Sequence, residues 1–331
     1  VAILLFSYKI NIYFGIGMCL VEISYLFYKK SSDENDNHSH LKTAVWVGLV
    51  MGIVAVILIP FAETKFSAIS LIENAIKYSP ASLAYIISMV IGYAGLRYLE
   101  LSIVSPVQNA SGALSTIAMI IYFLAVGRVT AISEEFSPLD ITGTIIIVAG
   151  VVALAIVEKK ISSKEKTLSE IKSEKKYRFG ALALIFPLLY CVFDTVGTAA
   201  DGIILDEETG LGLGEIDVII LYGLTFFAAG IVIWLYMLIK TKKPYNPFSL
   251  KEIKTKGAAA CFEQFGQIFY VYAMASEPML AAPMIASYCV ISVILSRIFL
   301  KERLKASQYA CVAAVIVGII LLGISEGLAE A

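Results

Sequence analysis

Ten apolar runs, each about as long as a bilayer is thick, alternate with short polar blocks along this chain. A helix needs about 20 mostly apolar residues to cross a hydrocarbon core of about 30 Å. Backbone in lipid must also satisfy its own hydrogen bonds, and for runs of this length helices do that. The runs lie at 12–28, 43–62, 80–99, 104–126, 139–157, 179–200, 216–239, 257–276, 279–299 and 306–324. Charged residues make up 16% of the chain and hydrophobic residues 59%, whereas a soluble domain carries roughly 25% charge. Ten spans with their connectors use nearly all 331 residues, so no soluble catalytic domain is left over. The expected fold is all-α, a polytopic membrane protein of about ten transmembrane helices.

Several function classes drop out on composition. The net charge is −1 and no segment interleaves basic with aromatic residues, so no nucleic-acid partner is expected. The five cysteines (Cys19, Cys191, Cys261, Cys289 and Cys311) fall inside apolar runs without CxxC spacing and read as small packing residues. The first eight residues lack a basic leader and a small-residue cleavage site, so no cleavable signal is expected. His38 and His40 stand near Asp33, Glu34 and Asp36, a set able to grip a metal. So polar a connector is more often simply solvated, and neither metal nor cofactor is expected. No HExxH occurs and no histidine lies in a span, which argues against an enzyme. Gly212–Leu213–Gly214–Glu215 has Glu where a Gly-x-Gly-Asp protease loop has Asp.

The basic residues are distributed unevenly. Connectors after odd-numbered runs hold about 22 Lys and Arg, including Lys29, Lys30, Arg97, Arg297 and the eight of 158–178. Connectors after even-numbered runs hold three: Lys65, Lys77 and Arg128. The sixth-to-seventh connector is acidic (Asp201, Asp206, Glu207, Glu208). By the positive-inside rule the 158–178 linker is cytoplasmic and both termini lie outside. The stretch 63–79 spaces Phe66, Ile69, Ile72 and Ile76 near a helical period. It is too short and polar to span, and predicts an amphipathic piece at the interface.

The chain also matches itself. At an offset of 177 positions Tyr93 meets Tyr270, Glu100 meets Glu277, Pro106 meets Pro283 and Ser115 meets Ser292. After a gap of about nine residues, Gly150 meets Gly318. Each half then holds five helices, and because five is odd the second half must sit upside down relative to the first. Two inverted five-helix repeats, at 1–157 and 179–331 around the 158–178 linker, are a common transporter plan with the site near the midplane. Pro106 and Pro283 fall near helix starts, where a missing N–H costs little.

The stretch 269–323, FYVYAMASEPMLAAPMIASYCVISVILSRIFLKERLKASQYACVAAVIVGIILLG, carries a YAM turn, an Ala-Ala-Pro opening, an FLKERL exit and a Gly-ended last helix. In these elements it resembles the EamA-like half of the drug/metabolite transporter superfamily. The helix 180–198 with its LLY core fits the start of that half. The first half resembles it less: the proline of 101–108 is kept, but the exit reads FLAVGR where an acidic residue belongs. The resemblance implies a ten-helix carrier of small metabolites. Such proteins are often drawn with both termini in the cytoplasm, against the charge count.

Ionisable groups inside spans are costly, by about 2.5–3.5 kcal/mol on insertion scales, and mark pathways by default. Three stand out: Glu22, Asp194 and Glu263. Tyr190 and Asp194 are four apart and share a helix face, while Glu263, Gln267 and Tyr270 follow i, i+4, i+7 beside Gly266. Gln108 and Asn109 add amides past Pro106, and Tyr93 adds a hydroxyl from the third run. These nine residues are the expected lining of a substrate and proton-coupling cavity. The bland reading is that such acids hydrogen-bond neighbouring helices. The expectation is a secondary active carrier in the cell membrane, a monomer or homodimer in the lipid bilayer. It would move small polar metabolites, amino acids or related compounds first and organic cations second, with protons as the coupling ion. A membrane-embedded enzyme and a channel or assembly subunit are the alternatives.

Overall fold

The described parts of the apolar runs fold as helices whose acids turn inward and whose apolar faces turn outward. The computed structural model describes residues 10–32, 36–127, 137–169, 183, 185–205, 210–241, 245–276, 288–301 and 305–329. Among them no strand occurs. In chain order the helices are α1 (Ile10–Ser31), α2 (Ser39–Leu58, prolonged by a 3-10 turn Ile59–Phe61), α3 (Ala68–Gly95) and α4 (Leu101–Gln108). Then come α5 (Ser111–Ala125), α6 (Pro138–Ser169), α7 (Ile185–Leu205) and α8 (Glu215–Thr241). The last are α9 (Ala258–Ser276), α10 (Tyr288–Leu295, ending in a π turn Ser296–Leu300) and α11 (Ala306–Ala329). Four stretches, Ser39–Phe61, Ala68–Gly95, Ile185–Leu205 and Glu215–Thr241, are each long and apolar enough to cross a membrane.

The surface confirms the solvent. Val56, Ile57, Ile145, Val232 and Ile239 are exposed, while Glu22, Asp194, Asp201 and Glu263 are buried. That inversion suits a protein surrounded by lipid, where ionisable groups face the bundle interior.

Close helix pairing rests on glycine. The most extensive pairings are α2 with α8, α1 with α9, α6 with α11 and α3 with α7. Without a hydrophobic force between helices in lipid, small residues that let backbones touch become the adhesive. Gly48 of α2 lies against Gly230 and Phe226 of α8, so a Cβ on Gly48 would stand 2.5 Å from the Phe226 carbonyl oxygen. Gly52, its partner in the Gly-x3-Gly pair, abuts the Phe227 ring. Gly17 and Gly266 perform the same service between α1 and α9.

The polar ends are tied as well. Lys29 Nζ donates to the Leu96 and Leu99 carbonyls at 2.7 Å each, satisfying acceptors at the end of α3. At the opposite helix ends, Asp217 in the first turn of α8 accepts from the Glu63 and Thr64 amides at 2.9 and 3.0 Å. Asp36, in the α1–α2 connector, accepts from the Lys42 ammonium and the His38 amide. Burial works to raise its carboxyl, but these donors hold it below its ordinary value.

Five sequence expectations need correction. The stretch 63–79 is not a separate interfacial piece: from Ala68 it runs unbroken through Pro80 into the third span. Its exposed Ile69, Ile72 and Ile76 lie along one helix of 28 residues, whose start is fixed by a Ser67–Ser70 capping box. The fourth run is two helices, α4 and α5, with Asn109 and Ala110 between them. Pro106 is the sixth residue of α4, so its missing N–H falls beyond the first turn, just before the break. The fifth span continues as helix into the linker as far as Ser169, because its lysines and glutamates are good helix formers. Asp201 belongs to α7 and is buried, not part of an exposed acidic connector. The expected positions Glu277, Pro283, Arg128, Asp33, Glu34, Asp206–Glu208 and 170–178 lie outside the described residues.

Candidate functional site

The interruption between α4 and α5 sets up the site. Its Asn109 backbone (φ −73°, ψ −4°) is at the edge of the helical region, and the break turns Gln108, Asn109 and Ser111 toward neighbouring helices. Broken helices at membrane depth occur where the backbone lines a cavity or is buried in protein.

A central cavity of about 50 Å³ opens beside this break. Eight of the nine sequence-derived candidates line it: Glu22, Gln108, Asn109, Tyr190, Asp194, Glu263, Gln267 and Tyr270. The ninth, Tyr93, stands behind the wall, its hydroxyl donating to Glu263 Oε2 at 3.0 Å.

Each carboxylate is held by hydroxyls from other helices. Ser105 of α4 donates to Glu22 Oε1 at 3.2 Å, Ser292 of α10 donates to its Oε2, and Asn109 faces the same carboxylate. Ser111, the first residue of α5, donates to Asp194 Oδ2 at 2.6 Å, and Ser88 of α3 to Oδ1 at 3.4 Å. Glu263 is 0% exposed. Its Oε1 has the Tyr28 hydroxyl beside it but no well-aligned hydrogen bond. Gln108 Nε2, in the same wall, is buried without a partner. Buried polar atoms are normally satisfied, and an orphan at a cavity asks for a ligand or water.

Tyrosines complete the lining. Tyr25 and Tyr190 approach hydroxyl to hydroxyl at 3.5 Å, and Tyr85 reaches Tyr270 at 2.9 Å and Thr198 at 3.2 Å. Tyr222 and Tyr288 close the remaining sides. Among the lining residues there is no Lys, Arg or His. The cavity is therefore acidic and aromatic, which suits a cationic or amine-bearing group through charge and ring faces.

Sequence reasoning missed Tyr25, Tyr85, Tyr222 and Tyr288, and the serines that hold the acids. Single hydroxyls in an apolar run carry little signal, although Ser292 did stand at the repeat offset. It also missed Gly92, where a Cβ would collide with the Tyr190 ring at 2.6 Å and Gln108 Nε2 at 2.8 Å.

Residues 209–324 match the model of the EamA-like transporter family. A solved crystal structure of a protein shares the fold at a TM-score of 0.56 and 15% identity, over 96% of this chain and 99% of that one. At that identity the likeness is one of fold alone. No curated protein matches the chain. The resemblance read in 269–323 thus lies within a wider match. The chain has helices long and apolar enough to cross a membrane, and over 209–324 it is similar to the EamA-like transporter family, part of the drug/metabolite transporter superfamily.

Proposed function

We propose that the protein is a secondary active carrier that takes a small amine-bearing metabolite across the cell membrane, with amino acids or related compounds first and organic cations second. The observation that carries this reading is the convergence of Glu22, Asp194 and Glu263 on one cavity lined by no basic side chain among the described residues. The orphaned Gln108 amide and Glu263 oxygen supply polar contacts for such a guest. A carboxylate buried without a cation must be neutralised by a proton or by its guest. Competition between the two couples one to the other.

The carrier works as two inverted five-helix halves, 1–157 and 179–331, joined by the cytoplasmic linker 158–178, with both termini outside. The contact pattern supports this division. Exchanging first-half helices for their second-half counterparts turns the α1–α9 pairing into the α7–α3 pairing, and leaves α2–α8 and α6–α11 unchanged. The acids obey the same exchange: Glu22 is bonded by Ser292 of the ninth run and Asp194 by Ser111 of the fourth.

A transport screen in proteoliposomes tests the function. Purified protein would be offered the standard amino acids and tetraethylammonium, with and without a pH gradient. Saturable uptake of at least one amine supports the reading. Uptake of none, with anions or neutral solutes passing instead, would overturn it.

A further inference from the structure

Asp201 has no place in the cavity, yet it is 1% exposed and its Oδ2 lacks a well-aligned hydrogen bond. It continues the polar face of α7. Tyr190, Asp194, Thr198 and Asp201 succeed one another at helical spacing, the first three of them in the cavity wall. Seven residues separate Asp201 from Asp194, about 10 Å along the axis, toward the helix end where Asp217 binds the Glu63 and Thr64 amides. Tyr78 of α3 donates to Asp201 Oδ1 at 2.6 Å. One face further along α3, the Tyr85 hydroxyl stands beside the same carboxylate and also contacts Thr198 and Tyr270.

We propose that Asp201 is a proton port, a carboxyl that passes protons between the outer end of α7 and the central cavity through the Tyr85 hydroxyl. This rests on the carrier reading and adds a residue and a route to it. The step is a proton relay without electron transfer. The Asp201 carboxyl gives its proton to the Tyr85 oxygen as Tyr85 gives its own to Thr198 or Tyr270. The hydroxyl that accepts it releases its own proton into the cavity, which both residues line with Asp194 and Glu263, and one of these acids takes that proton up. The reverse sequence resets the chain.

The surroundings fit such a role. The titratable groups facing Asp201 are Tyr78 and Tyr85 from α3, Tyr222 from α8 and Tyr270 from α9, with Asp194 on its own helix. All are neutral hydroxyls or acids. No cation among the described residues pins the Asp201 carboxylate in its charged form, so it is free to change protonation. A purely structural tie from α3 to α7 would need the Tyr78 bond but not an ionisable group.

Asp201→Asn separates the two roles, because the amide oxygen still accepts from Tyr78 while the titratable proton is gone. Proteoliposomes with a pH dye inside would be given a radiolabelled mixture of the standard amino acids and tetraethylammonium. The port predicts gradient-driven uptake and proton flux down at least tenfold in Asp201→Asn, with substrate exchange within about twofold of wild type. Tyr78→Phe should keep most gradient-driven uptake. Tyr85→Phe should lower the ratio of driven uptake to exchange, which keeps the proposal testable should Asp201→Asn fail to reach the membrane. Undiminished driven uptake in Asp201→Asn or in Tyr85→Phe would overturn the port and leave the carrier standing, as would wild-type transport indifferent to pH. A wild type that moves neither probe would instead remove the carrier reading itself.

Discussion

The Tyr93 hydroxyl on α3 donates to Glu263 Oε2 on α9 at 3.0 Å, joining groups 170 residues apart in the chain. Its counterpart at the repeat offset, Tyr270 on α9, reaches back to Tyr85 on α3 at 2.9 Å. Each half thus sends a tyrosine from its third helix into the other. Tyr93→Phe would take the donor from Oε2 of a fully buried acid whose Oε1 has only the Tyr28 hydroxyl nearby. Leaving a buried acceptor unsatisfied costs about 1–3 kcal/mol. The variant should melt several degrees lower in detergent and lose most gradient-driven uptake. Unchanged melting would mean that the bond contributes nothing to the fold.

Glycine contacts make opposite predictions at two positions. At Gly48 a Cβ would press on the Phe226 carbonyl and on Gly230, both backbone, which cannot swing aside. Gly48→Ala should therefore destabilise by about 1–3 kcal/mol through overpacking. At Gly15 nothing lies within 4 Å of an added Cβ. Gly15→Ala should be neutral or stabilising, by up to about 1 kcal/mol of helix propensity. Thermal melts of the two purified variants against wild type check the sign of each. A Gly48→Ala protein as stable as wild type would show that the α2–α8 contact can relax.

Apolar helices and buried acids were legible in the sequence because lipid imposes a one-dimensional signal. A run of 20 apolar residues needs no partner to be recognised, and a lone Glu263 within one is conspicuous. Helical spacing then placed Glu263, Gln267 and Tyr270 on one wall, and the structure does bring them to one cavity. What failed was information held between helices. Asp201 looked like a connector residue because Asp206, Glu207 and Glu208 follow it closely in sequence. Its burial depends on Tyr78, which is 123 positions away. The merging of 68–79 with the third span was hidden by Glu73 and Lys77, which pair with each other on an exposed face of α3. The α4–α5 break had a cue in Pro106, but reading that proline as a first-turn residue concealed it.

Orientation gives a prediction that tests the basic residues directly. Lys29 and Arg97 are engaged at the same end of the bundle, Lys29 on the Leu96 and Leu99 carbonyls and Arg97 on the Asn37 carbonyl at 3.4 Å. With that end cytoplasmic, a C-terminal alkaline phosphatase fusion should be active and a C-terminal fluorescent protein dark. A bright fluorescent fusion would place both termini inside, and would mean that these lysines and arginines serve the fold without setting its topology.

The chemistry of coupling is tested at Asp194 and Glu263. Both carboxyls lie in the wall of one cavity, held by Ser111 and Ser88 on one side and by Tyr93 on the other. Hydroxyl donors stabilise a carboxylate without cancelling its charge, so each acid still needs a proton or a cationic guest when the cavity is closed from water. Asp194→Asn and Glu263→Gln keep the shape and an acceptor oxygen for these donors while removing the site for the proton. If one acid carries the coupled proton, its amide variant should lose at least tenfold in gradient-driven uptake. Exchange should survive wherever the other acids still hold the amine. If an acid only grips the amine, uptake and exchange should fall together through a higher KM. Initial rates of uptake and exchange, measured across external pH for each variant, separate these outcomes. PH-dependent transport unchanged in both variants would remove Asp194 and Glu263 from the coupling mechanism.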